Sequence, residues 1–357
     1  MTYSQAVSIA DDTATNVRES TQATERTGKE LFNATKPFAV DDRAKSWSYL
    51  ISAVLILTCL VTLSVILPWW PARLLTSLTA GMVTVRLFIF YHDFMHGAIL
   101  KGSTLAKIIM YPYGLLILSP PFAWRKSHNF HHAHVGLVEH SSVGSFPIMT
   151  TEMWESATLW EKFKYKVSRN PLVIVFALIT VFLINICACP MFENFSKHWD
   201  SLIAIALHAA LIPALWFLAG PDTMLFGYLI PIWTASAVGS YLFYVQHNMD
   251  GLKMIKKEEW TYHKGAIEAS SYLKMSPLME WFTGNIGYHH IHHLNSRIPF
   301  YKLPETMAAI PELQKPATGN LRLKSIWRSL QLKLWDEENQ SMVSFREVFQ
   351  SKHAHHH

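Results

Sequence analysis

Long apolar runs occupy the middle of this chain, and polar residues collect at its two ends and in the connections between runs. Six apolar segments stand out. Those at residues 48–70 and 73–91 are each about as long as a bilayer core requires and are separated only by Pro71 and Ala72, with Trp69 and Trp70 placed at an interface. This predicts a transmembrane hairpin. The segments at 201–219 and 223–245, joined by Gly220-Pro221-Asp222, predict a second one. Residues 105–121 are shorter and broken by Pro112, Gly114 and Pro120-Pro121, so they read as interfacial or re-entrant.

The remaining segment, residues 171–190, is long enough to span and raises a question of parity. Chemistry shared between the loops after the first and second hairpins requires an even number of crossings between them. Four true spans are therefore expected, with 171–190 shallow or re-entrant. The fold class is all-α integral membrane: two transmembrane helical hairpins with interfacial helices and a cytoplasmic histidine-rich cap.

Charge sets the orientation. Lys101, Lys107, Arg125, Lys126, Lys162, Lys164, Lys166 and Arg169 lie between the hairpins, whereas the hairpin tips hold only Arg73 as a basic residue. The positive-inside tendency places the polar loops and both termini in the cytoplasm, of either a bacterial inner membrane or the endoplasmic reticulum. The 357 residues are 50% apolar and only 16% charged, against about a quarter in soluble domains, which argues for surface facing lipid. The net charge of +5 suits a membrane surface, and no nucleic-acid-binding pattern is present. Cys59, Cys187 and Cys189 lie inside apolar runs and read as small hydrophobes. Residues 1–44 are polar, without the apolar core of a signal peptide, and are expected to be disordered. A membrane domain is expected over 45–312 and a cytoplasmic C-terminal segment over 313–357, whose terminal histidines are set aside.

The 19 histidines matter through their placement. His92 and His96 are four apart where the second apolar segment ends, so both imidazoles share one helical face. His128, His131 and His132 repeat that logic at i, i+3 and i+4, as do His289, His292 and His293, while His247 follows Gln246 at the end of the last segment. Imidazole suits iron, copper, nickel and zinc. One tetrahedral zinc uses four protein ligands or fewer. Nine candidates instead suit two ions of higher coordination with positions open to O₂. Iron is favoured because it supports oxidative chemistry, although composition alone does not separate it from copper. His208 reads as a hydrogen-bonded packing residue, His134 and His140 as neighbours of the site or loop residues, and His198 and His263 as loop residues. His290 falls outside the register of its box.

With HxxxH, HxxHH and HxxHH in order, residues 48–310 resemble the membrane fatty-acid desaturase superfamily, and most closely its acyl-lipid omega-6 (delta-12) members. The resemblance implies a non-haem di-iron centre with His92, His96, His128, His131, His132, His247, His289, His292 and His293 as ligands. It also implies O₂ as oxidant, a lipid or acyl substrate, and electrons from outside. Because the chain has neither a His-Pro-Gly-Gly haem motif nor an iron–sulfur cysteine set, the donor is expected to be a separate ferredoxin or cytochrome b5. Asn285, one turn before the third box, is a candidate for a water-mediated metal contact, and Asp93 for orienting an imidazole. Arg125 and Lys126 are candidates for binding a lipid headgroup. Phe88, Phe90, Phe94, Tyr241 and Phe243 are expected to line an acyl tunnel. The expected reaction is insertion of a cis double bond. An acyl, alkane or carotenoid hydroxylase or ketolase on the same scaffold is the nearest alternative, and a metal transporter without catalysis is a more distant one.

Overall fold

The computed structural model describes residues 25–140 and 145–354. Among the described residues, four helices are long and apolar enough to cross a membrane: α2 (Arg43–Ile66), α3 (Trp70–His96), α7 (Trp199–Ala219) and α8 (Pro221–Gln246). Asp42 starts α2 by accepting the Lys45 N–H at 3.1 Å, satisfying one of the donors that every helix start leaves open. Pro71 and Pro221 begin α3 and α8, where a missing N–H costs nothing. The outer faces are large and apolar, with Leu55, Ile66, Phe217 and Leu218 all exposed, as lipid-facing surface requires.

The two hairpin tips meet. Arg73 pairs with Asp222 at 2.7 Å, and the Ser64 and Ser77 hydroxyls both donate to the Phe226 carbonyl. Both hairpins therefore turn at the same end, and α3 and α8 run parallel to finish together at the other. Close approach of these two helices depends on Gly81. A Cβ there would lie 2.5 Å from the Thr234 Cβ. Gly97, at φ 69°, ends α3 directly after His96 in a conformation that costs other residues more.

Between the hairpins, α4 (Thr104–Leu116) and α5 (Pro121–His134) meet at 85°, the shape of a broken or re-entrant segment. Asp200 fixes the start of α5, its Oδ2 accepting the Phe122 N–H at 2.7 Å. The segment expected to be shallow is a short helix, Pro171–Val175, followed by α6 (Leu178–Glu193), whose first part is wound in wide π-helical turns. It falls short of the four spanning helices in length.

The cap is helical with short strands. α9 (His289–Leu294) carries the third box. β2 (Tyr272–Lys274) pairs in parallel with β3 (Thr318–Asn320), and β4 (Leu332–Asp336) lies between β1 (Met149–Thr150) and β5 (Ser341–Ser344). The expectation of a disordered tail to residue 44 needs correction within the described residues. Residues 28–35 form a helix, α1 (Gly28–Thr35), with Leu31 buried, Thr35 accepting from the Asn295 side chain, and Arg26 paired with Glu312 at 2.7 Å. Polar composition hid this element because its only apolar anchors are Leu31 and Phe32. Residues 1–24 lie outside those described.

Candidate metal centre

Four separate pieces of chain supply the site. The end of α3 brings His92 and His96, α5 brings His128, His131 and His132, the residue after α8 is His247, and α9 brings His289, His292 and His293. Their ring nitrogens sort into two groups. His92, His96, His128, His132 and His292 form one, and His131, His247, His289 and His293 the other, with the ligand atoms of each group all within 4.8 Å of one another. The second and third boxes are thus divided, while the first stays whole: His131 leaves its α5 neighbours for the second group, and His292 leaves its α9 neighbours for the first.

The separations have a chemical meaning. Within the second group, Nε2–Nε2 distances are 3.1 Å for His131–His247, 2.9 Å for His289–His247 and 3.1 Å for His293–His289. In the first, His128–His96, His132–His128 and His292–His132 lie at 3.0, 3.1 and 3.1 Å. Ligands about 2.1 Å from one ion and at right angles to each other stand about 3.0 Å apart. His92 turns Nδ1 to the Asp93 carboxylate at 3.0 Å, and His247 donates Nδ1–H to the Ala269 carbonyl at 2.9 Å. Those bonds leave the Nε2 lone pairs facing inward, where lone pair meets lone pair unless a cation lies between. All nine rings except that of His96 are buried. Burial, aided by the neighbouring imidazoles, holds His131, His289, His292 and His293 well below the ordinary imidazole value, and burial pulls His247 down to about 4. The rings are therefore neutral at pH 7, as ligands must be. The residues present fit two ions of a metal such as iron.

The other candidates divide. Asp93 reaches the site through His92, and its second oxygen accepts the Phe300 N–H at 2.7 Å. Asn285 sits at φ 55° and donates one amide N–H to the Phe300 carbonyl at 3.2 Å, which leaves its side-chain oxygen available as an acceptor. Arg125 donates to the Met95 carbonyl at 2.9 Å, fastening α5 to the end of α3. His290 is buried but bonds the Leu313 carbonyl at 3.0 Å and belongs to neither group. His208 donates to Ala204 within its own helix, and His263 packs on Phe32. The side chain of His140 lies outside the described residues.

A cavity of about 680 Å³ adjoins the centre and touches His92 and His128 of the first group and His289 of the second. That is within the ordinary range for a ligand pocket. Its walls are apolar side chains of α3, α6 and α8, among them Val85, Phe88, Phe182, Ile232 and Leu242, with Lys126, Glu193 and His198 among the polar side chains away from the centre. Phe88 and Phe243 line it as expected, but Phe90, Phe94 and Tyr241 do not. Phe90 packs on Phe300, Phe94 on Tyr111, and Tyr241 reaches Ser329, because helix rotation turns these three away. Trp124, to which sequence reasoning gave no role at the site, stacks on His128 at 4.4 Å. Its spacing of four residues before His128 on one helix was the available signal.

Comparison with known proteins agrees with this geometry. The family model described as fatty acid desaturase matches residues 68–323. A fatty acid desaturase of Bacillus subtilis is 33% identical over 284 residues, covering 77% of each chain. A sn-2 acyl-lipid omega-3 desaturase (ferredoxin) of Arabidopsis thaliana chloroplasts is 28% identical over 76% of this chain and 62% of its own length. A sn-1 acyl-lipid omega-3 desaturase (ferredoxin) of Nostoc is 26% identical over 80% of both. The extent of the matched region and the identity to the Bacillus protein establish that this chain belongs to the fatty acid desaturase family.

Proposed function

We propose that this desaturase uses O₂ and two iron ions, held by the nine histidines, to place a cis double bond in the acyl chain of a membrane lipid. The observation that carries the reading is the sorting of those side chains into groups of five and four, composed of imidazoles alone. When bound, the irons supply the O₂-dependent removal of hydrogen from two adjacent methylenes, for which no side-chain acid or base has the reactivity.

The protein's own work is placement. Asp93 and the Ala269 carbonyl hold His92 and His247 in the tautomer that turns Nε2 inward. The acyl chain lies in the 680 Å³ cavity, which borders both groups, so that one stretch of chain passes both ions. The apolar walls keep water from the reacting carbons. Lys126 receives the lipid headgroup at the cavity, and Arg125 supports it by tying α5 to Met95. Asn285 would support a bound metal through a water on its side-chain oxygen.

The catalytic unit runs over residues 45–312, with the histidines and both termini on the cytoplasmic side, where the lysines concentrate. Electrons come from a separate acidic carrier protein. A ferredoxin is favoured over cytochrome b5 by the ferredoxin dependence in the names of the Arabidopsis and Nostoc relatives. The sequence context resembles omega-6 enzymes, whereas those relatives are named omega-3 desaturases. Gas chromatography and mass spectrometry of fatty-acid methyl esters from a host expressing the chain test both points. A new cis double bond in lipid-linked chains is the expected product, and a hydroxylated chain in its place overturns the desaturase reading.

A further inference from the structure

Behind the four-histidine group lies a buried cation that the chemistry above does not use. Arg169 is 2% exposed. Its Nη2 donates to the Asn248 Oδ1 at 2.6 Å and to the Leu332 carbonyl at 2.9 Å, and its guanidinium lies 4.9 Å from the centre of the Tyr244 ring. Among the described residues Nε and Nη1 have no partner, and no carboxylate pairs with the guanidinium. A buried cation without a counter-ion costs stability, so packing alone gives poor reason for it.

What the cation holds is the end of α8. Asn248 directly follows His247, and its amide donates to the Ser329 carbonyl at 2.7 Å and the Leu332 carbonyl at 3.2 Å. The Tyr244 hydroxyl also donates to the Leu332 carbonyl, at 3.3 Å. One carbonyl at the start of β4 thus collects three side chains, two of them from the last turns around His247. His247 itself is held from the other direction by Ala269. Ser329 and Leu332 lie beyond residue 323, where the match to the desaturase family ends.

We propose that Arg169 is a positioning residue, locking Asn248 against β4 so that His247 is presented to the four-histidine group, and that the C-terminal segment is thereby part of the metal site's support. The proposal rests on the reading that each histidine group holds one iron. Only the second group contains His247, so loss of the lock should empty one position and spare the other.

The test is iron per chain and the Mössbauer spectrum of full-length protein purified with ⁵⁷Fe, for wild type, Arg169→Gln and Arg328→Gln. Arg328 belongs to the same C-terminal segment but bonds Asp250 and Glu347 instead. Arg169→Gln is expected to fall from two irons to about one and to lose one of two iron signals, with Arg328→Gln unchanged. Two irons and an unaltered spectrum in Arg169→Gln overturn the proposal, as does equal loss in Arg328→Gln. Should Arg169→Gln not fold, Asn248→Ala carries the same comparison with the same two results. A wild type holding fewer than two irons is a different failure: it strikes the dimetal reading itself.

Discussion

His92 Nδ1 lies 3.0 Å from the Oδ1 of Asp93, its neighbour in sequence, and the other oxygen of that carboxylate accepts the Phe300 N–H at 2.7 Å. The carboxylate therefore fixes the tautomer of His92 and ties it to a loop more than 200 residues away. Such supports are commonly worth about 10–100-fold in metal affinity. Asp93→Asn keeps the shape but weakens the charge-assisted bond, so iron is expected to pass to a competing chelator about tenfold or more readily than from wild type. Equal retention in a chelator titration would contradict this role.

Acid should destabilise the metal-free protein. Burial holds His247 and His290 at about 4 in the folded state, against about 6.5 in an unfolded chain. Below pH 6.5 the unfolded chain takes up protons that the folded one refuses, so stability falls as pH falls. The melting temperature of chelator-treated protein is expected to be level above about pH 7 and to drop between about pH 6.5 and 4. A melting temperature that rises on acidification would show that these histidines gain, rather than lose, by protonation in the fold.

Chain-length preference should respond to Gly239, which lines the cavity and has no atom within 4 Å of where a Cβ would stand. Gly239→Phe fills cavity volume without a clash at its own backbone. Products are expected to shift toward shorter acyl chains, read from methyl-ester profiles of an expressing host. An unchanged profile would place the acyl chain elsewhere.

Helix contact at Gly81 is expected to be intolerant. A Cβ there meets the Thr234 Cβ at 2.5 Å and the Pro231 carbonyl oxygen at 2.8 Å, so Gly81→Val must push α3 from α8. Overpacking of this sort costs about 1–3 kcal/mol. A lower melting temperature is expected together with weakened iron retention, since both helices end at the metal centre. Wild-type stability in this variant would mean that the two helices are not in contact there.

The spanning helices were legible because lipid demands about 20 apolar residues in a row, and residues 48–70 and 223–245 meet that demand openly. The nine histidines were legible too, because helical spacing puts each box on one face. Their division into five and four was not. It depends on how α5 and α9 are rotated against each other, so that His131 and His292 cross to the opposite group, and no local pattern records that rotation. For the same reason Phe90 and Phe94 were expected at the cavity but pack elsewhere. The α1 helix was hidden by its polar composition, and the Arg169 lock by being assembled from side chains and carbonyls some 80 to 160 residues apart.

The most direct test of the account compares fatty-acid methyl esters from membranes carrying the wild type in air, the wild type under nitrogen, and His292→Ala in air. His292 contributes a ring nitrogen to the five-histidine group and belongs to no spanning helix, so its loss should leave membrane insertion intact. A new cis-unsaturated product from the wild type in air alone is the predicted result. Product formed without O₂, or in equal amount by membrane-inserted His292→Ala, would contradict it.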